Sequence, residues 1–113
     1  MIEQIFKMAV AIDGKSDKVV EKVLHDENVH FNHMLLNQGE ALPEHYSNAT
    51  VYMAVIQGKL SLKLDEQDPQ MYPTGTLLKI PNDIKMNVMN TSEALLELIV
   101  VKAPAPTTPV KMG

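Results

Sequence analysis

Hydrophobic and polar positions alternate along most of this chain in short runs that return every ten residues or so. Lys18–Leu24 (KVVEKVL) admits two periods: Val19, Val20, Val23 and Leu24 share a helical face, whereas its valines suit a pleated surface. The turn-forming Asp26-Glu27-Asn28 and the β-like run Val29–Leu36 that follows it favour a strand in a hairpin. With a period of two, His30, Asn32, Met34 and Leu36 share one face of that second run, and Val29, Phe31, His33 and Leu35 the other. Neither face is polar throughout, which fits a closed or double-layered sheet. Tyr52–Ile56, Leu60–Leu64 and Thr76–Ile80 are further predicted strands. Gln57-Gly58-Lys59, the acidic Asp65–Pro69 and the connection Tyr72-Pro73-Thr74-Gly75 divide them. Ala94–Val101 (ALLELIVV) is a closing strand suited to burial on both faces. Ile2–Ile12 starts helix-like and then alternates, so its later part reads as a strand, with a polar turn over Asp13–Asp17.

Prolines at positions 104, 106 and 109 remove backbone donors, so Lys102–Pro109 is excluded from a sheet interior. The expected organisation is a single domain over residues 1–103, with 104–113 as a Pro-rich arm or tail. At 113 residues the chain is long enough to bury roughly two thirds of its unfolded surface.

Composition narrows the function classes. Without cysteine there is no disulfide, no thiolate chemistry and no cysteine-ligated metal. A net charge of −4 and singly scattered lysines argue against nucleic acid as a partner. No apolar run approaches the ~20 residues of a membrane span, and MIEQIFKMAV lacks the basic region and apolar run of a secretion signal. A cytoplasmic protein with no membrane partner is expected.

Two spaced sets of residues carry more information. Gly39 is followed after five residues by His45, then by Ser47, Val51 and Gly58; Gly75 is followed after five residues by Pro81, then by Asp83, Met86 and Asn90. This resembles the paired motifs of the cupin superfamily. In the first, glycine, His-x-His, glutamate and glycine succeed one another; in the second, glycine, proline, glycine, histidine and asparagine. The resemblance covers roughly residues 18–101 and implies an all-β cupin-type double-stranded β-helix, a jelly-roll barrel of antiparallel strands.

In metal-bearing members the histidines and glutamate of these motifs hold one divalent ion. The corresponding positions here are His45, Ser47, Val51 and Met86, of which only His45 is a good ligand for such a metal. No metal or other cofactor is therefore expected, with two exceptions to be checked. A shifted divalent-metal site would bring His30 and Asn32 towards His45; the preferred expectation leaves His30 at the barrel end and His33 outside, both solvated. A copper(I) site would use Met34, Met53 and Met86 with His45, since thioethers suit that soft ion.

What the resemblance leaves is a pocket formed by Asn32, Met34, Leu36, His45, Ser47, Val51, Met53, Met86 and Val88, mostly apolar with a few polar groups. The expected function is binding of a small, largely apolar molecule in a sensor, carrier or accessory role. The alternative is an isomerase, lyase or oxygenase that uses His45 as acid and base or within a non-standard metal site. Metal-free cupin epimerases pair a histidine with a carboxylate and use a tyrosine as acid, and no inward carboxylate is predicted here. A homodimer is expected, because cupins commonly pair through sheet faces and exchanged edge strands.

Overall fold

A computed structural model describes residues 1–10 and 18–113. The ambiguous KVVEKVL run is a strand, β1 (Val19–His25), which turns at Asp26–Asn28 into β2 (His30–Leu36). The Asp26 carboxylate accepts from the backbone N–H groups of Asn28 and Val29 at 2.9 and 3.0 Å and so fixes this turn. After a short β3 (His45–Tyr46) come β4 (Val51–Gln57), β5 (Lys59–Leu64), β6 (Gln70–Pro73) and β7 (Leu77–Ile80). The chain ends with β8 (Lys85–Met89), β9 (Leu96–Lys102) and β10 (Lys111–Met112).

All pairings are antiparallel and build two five-stranded sheets, ordered β1-β2-β9-β4-β7 and β10-β3-β8-β5-β6. In β4 and β9 the buried positions alternate, with Val51, Met53 and Val55 matching Leu96, Leu98 and Val100 on the inner face. These side chains meet Leu60, Leu62, Met86 and Val88 from the other sheet in one apolar core.

The motif residues serve turns and ties. Gly58 has a φ of +88°, and a Cβ there would collide with the Leu95 carbonyl oxygen, so only glycine fits between β4 and β5. Asp83, at the inner-glycine position of the second motif, adopts a φ of +61°, a conformation aspartate tolerates better than most residues. Asn90 is fully buried and joins the two motifs: its Nδ2 donates to the carbonyls of Leu36 and Ala94 at 2.9 Å, and its own carbonyl accepts from Gly39 N at 2.7 Å.

Three elements differ from expectation. Residues 1–10 form no strand, and the strand expected in the later part of Ile2–Ile12 has its last residues, together with the Asp13–Asp17 turn, outside the described residues. The segment is tied to the sheet at Ala9, whose N–H donates to Glu21 at 2.8 Å. Gln70–Pro73 pairs with β5 as an edge strand instead of a plain connection; Pro73 lies at its end, where a missing donor is tolerated. The Pro-rich arm returns to its own barrel, where β10 pairs with β3 and Asn48 Nδ2 donates to the Thr108 carbonyl at 2.7 Å.

Candidate functional site

The inner face of the first sheet is ordered in rows by its register. His25, His30, Lys102 and Val51 lie side by side across β1, β2, β9 and β4; Lys22, Asn32, Val100 and Met53 form the next row. Val20, Met34, Leu98 and Val55 form the third. The rows therefore grade from basic at the barrel's end to wholly apolar in its depth. Between this face, the second sheet and the arm lies a cavity of about 600 Å³, within the usual range for a small-molecule pocket. The second sheet contributes His45, Met86 and Val88, and the arm contributes Pro106 through Val110.

Asn32, Met34, His45, Val51, Met53, Met86 and Val88 line this cavity. Leu36 and Ser47 do not. Leu36 has the inward parity but pairs with Leu96 one row beyond Met34, in the packed floor. Ser47 is 3% exposed; its Oγ donates to the Pro81 carbonyl at 2.7 Å and accepts from Ile84 N at 2.9 Å. The residue at the second histidine position of the motif is thus a tie for the loop carrying Asp83, and is not available as a ligand.

His45 is half-buried and pairs in register with Met86. Its Nδ1 lies 2.8 Å from the Pro43 carbonyl oxygen, which can only accept, so Nδ1 carries a proton and the neutral ring keeps Nε2 as its acceptor. His25 and His30 stack with ring centroids 3.8 Å apart, and His25 Nε2 donates to Asn32 Oδ1 at 2.8 Å. His30 does lie at the barrel end, but it is partly buried and faces the cavity, which corrects the expectation of simple solvation. Burial first, then the positive charges of His25, Lys102 and Lys22, hold its imidazole below the usual pKa, with Asp26 opposing. Lys102 is held below the usual lysine value by burial and then by Lys22. Its Nζ donates to the neutral Asn48 Oδ1 at 2.9 Å.

His33 also departs from expectation. It is outside the cavity, as predicted, yet fully buried, with Nδ1 2.7 Å from Glu21 Oε1 and Nε2 2.7 Å from Glu97 Oε2. Glu21 stands opposite it on β1. Each ring nitrogen faces a carboxylate oxygen within the protein.

The standard cupin metal set does not fit these residues. Valine offers no donor, Ser47 is committed to the loop, and Met86 carries a thioether; among the described residues no group of three His, Cys, Asp or Glu could hold a metal ion. Met34, Met53 and Met86 do share the cavity with His45, but they are also among the buried core residues, so packing accounts for them. The histidine–carboxylate pair and tyrosine of metal-free epimerases have no counterpart among the described residues, where neither an acidic residue nor a tyrosine lines the cavity.

Sequence reading missed Lys22, His25 and Lys102. For Lys22 the signal was present: once Val20 is inward, Lys22 follows two positions later on the same face. The bulge between Lys22 and Leu24 breaks that count before His25. Lys102 reads as the first residue of the arm, whereas β9 runs one residue further than Val101.

A two-sheet antiparallel barrel with both motif glycines, the proline and the asparagine in their turns defines a cupin double-stranded β-helix. The chain is 39% identical over 117 residues to the uncharacterised protein MJ0764 of Methanocaldococcus jannaschii, covering 98% of each. The crystal structure of MJ0764, an RmlC-like cupin family protein with a double-stranded β-helix fold, superimposes with a TM-score of 0.86 at 40% identity over 94% of both chains. The protein therefore belongs to the RmlC-like cupin family. More distant structures share the fold alone. A cupin-like protein of Thermotoga maritima matches at 14% identity and TM-score 0.80, over 98% of this chain and 89% of its own. The polyketide cyclase RemF of Streptomyces resistomycificus matches at 16% and 0.76, over 99% and 85%. No family model matches the chain. No helix among the described residues is long and apolar enough to cross a membrane.

Proposed function

We propose that this cupin binds a small, largely apolar molecule in its barrel, as a sensor, carrier or accessory protein. The observation that carries the reading is the 600 Å³ cavity itself, walled by Met34, Met53, Met86, Val88 and Val100 with polar groups confined mainly to its edge. Retention of the motifs' turn residues, with Asp83 alone replacing a glycine, beside loss of three of four ligand positions supports binding over metal chemistry. Thermal melting against a library of metabolites tests it: stabilisation that rises with ligand concentration is expected, and its absence in Val88→Phe, which fills the cavity, locates the site. A library that stabilises both proteins equally would refute the reading.

A catalytic role rests on one observation, the Nε2 of His45 left as an acceptor facing the cavity by the Nδ1–Pro43 bond. His45→Ala discriminates: any turnover found should vanish while the melting temperature stays within a few degrees. Turnover unchanged in that variant excludes His45 as acid or base.

We further infer a cytoplasmic homodimer. Residues 1–10 hold Ile2, Ile5, Phe6 and Val10 in solvent, and the outer sheet face holds Ile56 and Leu77, so the apolar segment of one copy suits the face of another. Light scattering should give twice the chain mass; a single-chain mass at micromolar concentration would refute this.

A further inference from the structure

The charge of the cavity is one-sided. The whole chain is acidic, with 14 Asp and Glu against 10 Lys, yet among the described residues the ionisable groups lining the cavity are Lys22, Lys102, His25, His30 and His45, with no carboxylate. Apart from His45 on the second sheet, the basic groups are gathered in two adjacent rows of one sheet wall. Lys22 makes no ion pair among the described residues, and Lys102 reaches only the neutral Asn48. Asn32 uses its carbonyl oxygen on His25 and keeps its NH2 group for the cavity. Burial first, and the neighbouring positive charges second, disfavour the charged forms of Lys102 and His30. A cluster of donors and cations that meets only neutral acceptors, and no carboxylate among the described residues, is completed by an anion.

We propose that the cavity takes an amphiphilic anion, its charged head between Lys22, Lys102 and Asn32 and its apolar body against Met34, Met53, Met86 and Val88. This rests on the reading of the barrel as a small-molecule site and names the chemical class of its ligand. The head lies at the barrel end, where Asn48 links Lys102 to the arm through the Thr108 carbonyl, so the arm and the cationic rows form one wall. Depth then selects the body: the third row presents only Val20 and Met34 to the ligand, and beyond it Leu36 and Leu96 close the floor.

The test uses the full chain and three probes of equal length, octanoate, octan-1-ol and octylammonium, titrated by calorimetry. In parallel, methyl spectra of labelled methionine report whether Met34, Met53 and Met86 respond. Octanoate is expected to bind about tenfold tighter than octanol, with octylammonium weakest, since a charge-assisted head contact contributes on that order. Lys102→Met is expected to remove most of the preference for octanoate over octanol. Lys22→Met, on the more exposed β1, is expected to reduce the preference and supplies the test should Lys102→Met fold poorly. Equal binding of all three probes with shifts at the cavity methionines would overturn the anion inference and leave the pocket reading intact. Failure of all three to move those methyls would overturn both.

Discussion

The two faces of β2 place histidines in opposite circumstances. On the outer face His33 is sealed between Glu21 and Glu97 at 2.7 Å on either side, so both its ring nitrogens find partners within the protein. On the inner face His30 stacks on His25 and meets Lys102 and Lys22, and no acidic residue among those described lines the cavity it faces. Burial is greater at His33, yet His30 carries more information about function. A completed set of partners contributes to the stability of the sheet, whereas an uncompleted set of donors facing a cavity supports the proposed binding site.

The largest effect that sharpens this contrast is expected from His33→Ala. It leaves two carboxylates facing an empty position and should cost about 3 kcal/mol, read as a lower urea midpoint with unchanged slope. Affinity for octanoate in the folded protein should stay the same. A loss of binding without loss of stability would break the contrast by showing that the outer face governs the cavity.

Lys102→Met should act in the opposite sense. Lys102 is already disfavoured by burial and by Lys22, so replacing it with an apolar side chain of similar length is expected to raise stability by about 1 kcal/mol. The sign can be checked by pH: a lysine with a lowered folded pKa opposes folding while charged, and that opposition fades as pH rises through the folded value. The gain from the substitution should therefore shrink in alkaline solution. A destabilised Lys102→Met would mean that the contact of the ammonium with Asn48 outweighs its burial, and that the inner face is as complete as the outer.

Much of the barrel was legible because its determinants are local. Gly39, Gly58, Asp83 and Pro81 act through backbone conformations that neighbouring residues set, and alternation assigned Met53, Val88 and Asn32 to the inward side. Depth along the barrel was not legible, since parity alone cannot distinguish Met34 in the cavity wall from Leu36 in the floor two residues later. Nor was the Glu21–His33–Glu97 group, which unites residues from three strands and depends on register. Ser47 was misread for a related reason: the motif spacing gives its place in the chain, but its hydroxyl is claimed by Pro81 and Ile84 more than thirty residues away.

The smallest expected effect isolates one arm of the outer group. The N–H of Ala9 first, and His33 second, hold the Glu21 carboxyl below its usual value of 4.5. A carboxylate with a lowered folded pKa contributes stability that is fully present above its unfolded value and is lost as pH falls through the folded one. Glu21→Gln keeps the size of the side chain and removes the titration. At neutral pH the variant should be less stable by about 1 kcal/mol, given that Glu21 is partly exposed. The difference between the two proteins should narrow as pH is lowered below 4.5, followed by urea midpoints across that range. A gap that stays constant with pH would show that Glu21 acts through packing or the Ala9 tie alone. His33 would then draw its charge partner from Glu97, and the outer face would be half as complete as its geometry implies.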